Sequence, residues 1–179
     1  MIYYTADLHF GHKNVLQFDG RPFQTIEEHD RFLIDSWNAR VKPEDQVYIV
    51  GDFCMQSDRG PMYYLKQLSG RKYLIKGNHD TALLKDPEVM SQFELVEKMY
   101  FIKDRDYRIA LCHFPLAEWN QYHRGAWHIY GHIHNKRERA FQFMREEEKA
   151  LNAGIMINHY MPVSMEELID NNSAFKEQE

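Results

Sequence analysis

Short apolar or β-branched runs, each ending in polar residues, recur along the chain and predict strands over 2–5, 46–50, 73–75, 96–102, 107–112, 128–130 and 154–157. Between the first two, residues 25–41 carry a helical pattern, with Ile26, Phe32, Leu33 and Trp37 close to one face. Thr25 is placed to cap its first turn, and Glu28 follows at capping-box spacing. Shorter helices are predicted over 62–68, 81–84 and 165–169, the last opened by Ser164 with Glu167 three residues on. Strands and helices alternate early and strands dominate later, which predicts an α/β sandwich with a mixed sheet. No repeat, linker or composition break interrupts the pattern, so residues 1–179 read as a single domain.

Composition narrows the function classes. A chain of 179 residues that is 44% hydrophobic has enough apolar material for a core, which argues against a disordered or fibrous protein. With 22 basic against 27 acidic side chains, the net charge of −5 offers no general attraction to a phosphate backbone, and no stable nucleic-acid binding is expected. Two cysteines make no disulfide framework. No basic leader followed by an apolar stretch opens the sequence, and no apolar run of about 18 residues occurs. A soluble, cytoplasmic protein without membrane association is expected.

Ten histidines in this length are conspicuous, and several sit where a predicted strand stops. Asp7-Leu8-His9 follows the first run, and alternation along an extended chain would point both side chains to one side. Gly51-Asp52 follows the second run, and Gly77-Asn78-His79-Asp80 the third. His113 follows 109–112, and Gly131-His132-Ile133-His134 follows 128–130, again with two imidazoles two apart. Singly, each has a bland explanation: a capping Asp, a turn Asn, a core His. Together, in a fold whose sheet gathers strand ends along one edge, they bring imidazole, carboxylate and amide oxygen to one place. That donor set suits first-row divalent metals.

In this order, Asp7-x-His9, Gly51-Asp52, Gly77-Asn78-His79-Asp80, His113 and Gly131-His132-x-His134 resemble the motifs of the calcineurin-like metallophosphoesterase superfamily. The resemblance spans Asp7 to about Ser164. Asp7 to His12, Arg21-Pro22-Phe23 and the stretch from Cys112-His113-Phe114-Pro115-Leu116 through Trp119 to Gly131 resemble its small single-domain bacterial and phage-type members. The resemblance implies a four-layer α/β/β/α sandwich with mixed sheets and two divalent ions at one edge, manganese foremost, with iron, zinc, nickel or cobalt as alternatives. Carried over by position, Asp7, His9 and His134 would hold one ion, Asn78, His113 and His132 the other, and Asp52 would bridge them. It also implies hydrolysis of a phosphoester by a hydroxide shared between the ions, with His79 facing the substrate to aid the leaving group. Asp80 would either orient that imidazole or cap the helix beginning at Thr81.

Substrate choice is less legible. The Asp-Arg-Gly of the superfamily's protein phosphatases is absent after Asp52, where Phe53-Cys54-Met55-Gln56 stands instead. The expected substrate is a small phosphodiester or nucleotide. A phosphomonoesterase on the same site and a non-catalytic scaffold of the same fold are the alternatives, and the oligomeric state is open. Expected substrate contacts are His12, Asn14, Arg21, His123 and Arg124. Trp119 and Tyr122 would either stack on a base or pack beneath their loop.

Overall fold

The computed structural model describes residues 1–178. Two four-stranded sheets form. The first contains β1 (Ile2–Thr5), β2 (Gln46–Ile49), β3 (Arg71–Ile75) and β4 (Phe93–Glu97), all parallel in that order. The second contains β5 (Met99–Asp104), antiparallel to β6 (Tyr107–Cys112), which is followed by parallel β7 (Trp127–Tyr130) and β8 (Ala150–Asn152). Six α-helices complete the described chain: α1 (Val15–Asp19), α2 (Ile26–Asn38), α3 (Pro61–Leu65), α4 (Pro87–Met90), α5 (Arg139–Arg145) and α6 (Met165–Glu177). None is long and apolar enough to cross a membrane.

Three apolar clusters hold these elements together. In the first, Leu33, Ile34 and Trp37 of α2 and Leu65 of α3 meet Tyr3, Val47, Ile49 and Leu74 on one face of the first sheet. The Trp37 ring is fully buried and its indole N–H donates to Ser69 O at 2.9 Å, so the polar end of the ring is satisfied without water. The second cluster joins the opposite face of that sheet, through Tyr4, Tyr48, Val50 and Ile75, to Ile109, Leu111, Ile129 and Leu151 of the second sheet. The third packs Trp119, Ala126 and Met144 of α5 against Ala110, Tyr130 and Ala150. Adjacent residues on β6, β7 and β8 thus serve different clusters, as the period of a pleated strand requires.

Several expectations need correction. The run 96–102 is two strands in different sheets, with Lys98 between them; the charged pair Glu97-Lys98 marks the break, but two polar residues within a β-rich stretch do not by themselves signal a change of sheet. Residues 154–157 are not a strand: only Gly154 bridges to Ala6, and the chain then turns, pinned by Asn158 Nδ2 donating to Asn152 O at 3.1 Å and Gly154 O at 2.8 Å. The strand lies just upstream, in β8, where a charged run hides its three residues. Residues 81–84 do not form an α-helix; a 3₁₀ turn covers Leu83–Lys85. In α2, Phe32 is 45% exposed and packs on Phe23, while His29 and Asp30 occupy the buried face. Thr25 caps α2 through Glu28 N, but the Glu28 side chain accepts from Gln24 N, one residue earlier than a full capping box requires. Ser164 and Glu167 do form the complete box, and α6 continues to Glu177.

Candidate metal centre

The carboxyl ends of β1, β2 and β3 in the first sheet and of β6 and β7 in the second meet along one edge. Beyond the strands, backbone pairing continues: Asp7 N donates to Gly51 O and His9 N to Asp52 O, each at 3.0 Å, and Gly131 N donates to His113 O at 3.0 Å. These bonds fix the loops that carry Asp7, His9, Asp52, His113 and His132. The alternation expected for Asp7-x-His9 and His132-x-His134 is absent. All four residues, and Asp52, have left-handed backbones with φ between 52° and 71°. Such conformations cost non-glycine residues on the order of 1 kcal/mol or more each, and gather where a site imposes them. Two glycines make the close approach possible. A Cβ on Gly51, at φ 89°, would lie 2.2 Å from His113 Nδ1, and one on Gly77 would lie 2.2 Å from Asp52 Oδ1.

The donors fall into two sets around Asp52. His9 Nε2 and His134 Nε2 are 3.2 Å apart, and His134 Nε2 lies 3.8 Å from Asp7 Oδ1. On the other side, Asn78 Oδ1 is 3.0 Å from both His113 Nε2 and His132 Nδ1. Asp52 Oδ2 stands 3.8 Å from His9 Nε2 and 3.4 Å from His113 Nε2, between the sets. Asp7, His9 and His134 converge closely enough to hold one ion, as do Asp7, Asp52 and His113.

The chemistry of these donors fits divalent cations. Asp7 Oδ2 is buried with no hydrogen-bond partner among the described residues, and burial pushes its carboxyl upward despite His134 and His113 nearby. A carboxylate oxygen in that state lacks a positive partner. Burial holds the His9 imidazole neutral, at about 2, and lowers His132 as well, whereas against burial Asp52 and Asp7 raise His113 to about 9 and Asp19 and Asp7 raise His134; neutral imidazole is the ligating form, and a cation would take the place of those two protons. Burial opposes ionisation of Asp52 too, but His113, the His79 amide and His9 outweigh it and hold the carboxyl at about 2. The centre thus offers an ionised carboxylate at the junction of two imidazole-rich sets.

Around it lies a cleft of about 480 Å³ lined by His9, Asp52, Asn78, His79, His132 and His134, and also by His12 and Asn14. His79 and Asn78 are exposed to it, and His79 N donates to Asp52 Oδ1 at 2.9 Å. Phe18, 68% exposed, stands at the same rim, and Phe114 packs edge-on against His132.

Three expected substrate contacts are misplaced. The Arg21 side chain is fully buried; it donates to Leu8 O at 3.0 Å and Asp7 O at 2.9 Å, pairs with Asp19 and reaches His29 Nε2 at 2.9 Å. It braces the loop after β1 and cannot meet substrate. His123 and Arg124 lie at the opposite edge, where Arg124 O accepts from Arg108 at the start of β6. A loop between two ligand-bearing strands has to return to the far end of a parallel pair, and that return places residues 122–124 away from the site. Trp119 packs in the third cluster and its indole N–H donates to Ala126 O at 2.8 Å. Cys54 and Cys112 are buried, and desolvation raises the Cys54 thiol to about 12, so neither is poised as a nucleophile.

Asp80 serves neither expected role. It is buried and accepts from Asp52 N and Phe53 N at 2.9 Å and Gly77 N at 2.7 Å, tying the β2 loop to the β3 loop. Asp80→Ala, which removes all three acceptors, should lower metal affinity by about 10- to 100-fold, read by calorimetric titration. Unchanged affinity with reduced turnover would instead return Asp80 to the His79 imidazole. Sequence reasoning missed Asp19, whose carboxylate lies 2.7 Å from His134 Nδ1 and orients that ring. It also missed Asn152, which donates to His134 O at 2.7 Å. An Asp at the end of a five-residue helix and an Asn at the end of a hidden strand carry no local signal.

No family model matches the chain. The uncharacterized protein MJ1445 of Methanocaldococcus jannaschii is 29% identical over 170 residues, covering 94% of this chain and 89% of that protein. Among solved structures, the protein of unknown function AQ665 from Aquifex aeolicus has a TM-score of 0.75 at 26% identity, over 95% of this chain and 98% of that one. The nuclease MPE of Pseudomonas putida is more distant, with a TM-score of 0.48 and 18% identity over 74% of this chain and 61% of that one.

Proposed function

We propose that the chain is a cytoplasmic, metal-dependent phosphoesterase of the calcineurin-like type, a single α/β/β/α domain that hydrolyses a small phosphodiester or nucleotide. The observation that carries this reading is the meeting of two donor sets at Asp52, with Asp7, His9 and His134 on one side and Asn78, His113 and His132 on the other. When bound, two divalent cations, manganese in our reading, supply Lewis-acid charge for the phosphoryl oxygens and activate a water. Asp52 and Asp7 bring the negative charge that lets two cations sit close together, while Asn78 and the imidazoles, which are neutral when they ligate, leave the centre attractive to a phosphate anion. Asp19 holds the His134 ring in place, and Arg21 holds Asp19 and the carbonyls on either side of Leu8. His79, exposed in the cleft with its amide anchored on Asp52, donates a proton to the departing oxygen. His12 and Asn14 line the same cleft and contact the substrate.

Hydrolysis of an aryl phosphodiester should vanish on chelation and return with manganese or a similar ion. The diester should be preferred over the monoester of the same leaving group, because no exposed arginine lines the cleft to meet a dianion. Paired kinetics at one pH and metal concentration check both. Full activity in verified metal-free protein overturns the mechanism, and a tenfold preference for the monoester overturns the ester class.

A further inference from the structure

The cleft does not end at the metal ligands. His132 and Lys136 line it and also line an adjoining hollow of about 330 Å³, whose walls include Pro115, Arg139 and Ala140. Those last three residues in turn border a third hollow of about 510 Å³, floored by Ala117, Phe143 and Met144. Shared walls make the three one groove, leading from the candidate metal centre along α5.

The groove has a definite chemistry. Its first part carries two cations, Lys136 and Arg139, against one carboxylate, Glu138. Both cations are exposed, and neither has an acidic partner within ion-pair distance among the described residues. Their neighbour Arg137 differs, being committed to the carbonyls of Phe175 and Gln178 and to the rings of Phe141 and Phe175. Beyond the cations the lining turns apolar. Phe143, four residues after Arg139 and so on the same face of α5, is 51% exposed, a large apolar ring left open at the groove's far end. Cations followed by an open ring suit an anion followed by a flat or apolar group.

We propose that this groove binds a second phosphate of the substrate, at Lys136 and Arg139, together with an attached apolar or aromatic group at Phe143. The substrate class is then a phosphodiester bearing at least one further phosphate, such as a nucleotide diester that also carries a phosphomonoester on its sugar; a nucleoside bisphosphate reproduces its two phosphates without the scissile diester bond. The inference rests on the phosphoesterase reading in one respect: it seats the scissile phosphate at the metal centre.

Calorimetric titration of the manganese-loaded protein with thymidine 3′,5′-bisphosphate and with thymidine 5′-monophosphate tests it without requiring turnover. The bisphosphate should bind at least about tenfold more tightly, a preference that shrinks as salt is raised. Arg139→Gln should cut that ratio about fivefold, and Lys136→Gln with Arg139→Gln should bring it close to one. Equal affinities in the wild type, undetectable binding of both ligands, or a ratio unmoved by the double variant overturns the proposal. The bisphosphate preference without hydrolysis of any ester leaves the groove standing and removes the phosphoesterase reading. Hydrolysis without the preference does the reverse.

Discussion

Asp52→Asn should leave a folded chain that has lost most of its bound metal and hydrolyses a phosphodiester about three orders of magnitude more slowly, since charge stabilisation at such centres amounts to several kcal/mol. The substitution is nearly isosteric, so its effect isolates charge. Asp52 Oδ2 is the atom that faces both His9 and His113, and the carboxylate is almost fully buried. An amide there, its oxygen kept on His79 N, turns an NH2 group toward the two sets of ligands, and the repulsion between two ions goes unopposed. Its Oδ1 also accepts from His79 N, a bond the Asn oxygen can retain. The loop geometry therefore survives while the charge does not. Elemental analysis alongside turnover checks the prediction; a fully loaded variant of normal activity would refute the bridging role.

His79→Asn separates proton donation from metal binding. The imidazole ring is 5.6 Å, centroid to centroid, from that of His9, yet belongs to neither close donor set, and it is exposed where the proposed ligands His9 and His113 are buried. Its replacement should leave both ions bound and lower turnover by about 10²- to 10⁴-fold, the usual worth of general acid catalysis. Esters with poorly departing alcohols should suffer most, because a good leaving group needs no proton in the transition state. Metal loss as severe as in Asp52→Asn would show that His79 is a ligand.

The strand ends that bear the donors were legible because each combines two local signals: an apolar run and a polar or glycine stop. Ile2–Thr5 and Tyr107–Cys112 match the structure residue for residue, and β2, β3 and β7 differ only at their ends. Asp7-x-His9 converges by a different route from the one its spacing predicts. Extended alternation would have placed both side chains on one face, but left-handed turns do it instead, and no propensity of Asp or His announces such a turn. The supports of the site were illegible for a different reason. Asp19, Arg21 and Asn152 act through contacts made only when α1, the loop after β1 and β8 come together, so nothing local marks Arg21, expected at the substrate, as a buried brace. His123 and Arg124 misled because nearness in sequence to His113 and His132 does not survive a parallel crossover, which must travel the length of the sheet.

The proposed function depends most directly on the capacity of this edge to hold two ions. A titration of chelated, metal-free protein with manganese, followed by calorimetry and closed by elemental analysis after desalting, should find about two ions per chain in the wild type and fewer than one in Asp52→Asn. A wild-type chain that binds none, or a variant that binds two as tightly as the wild type, would contradict it.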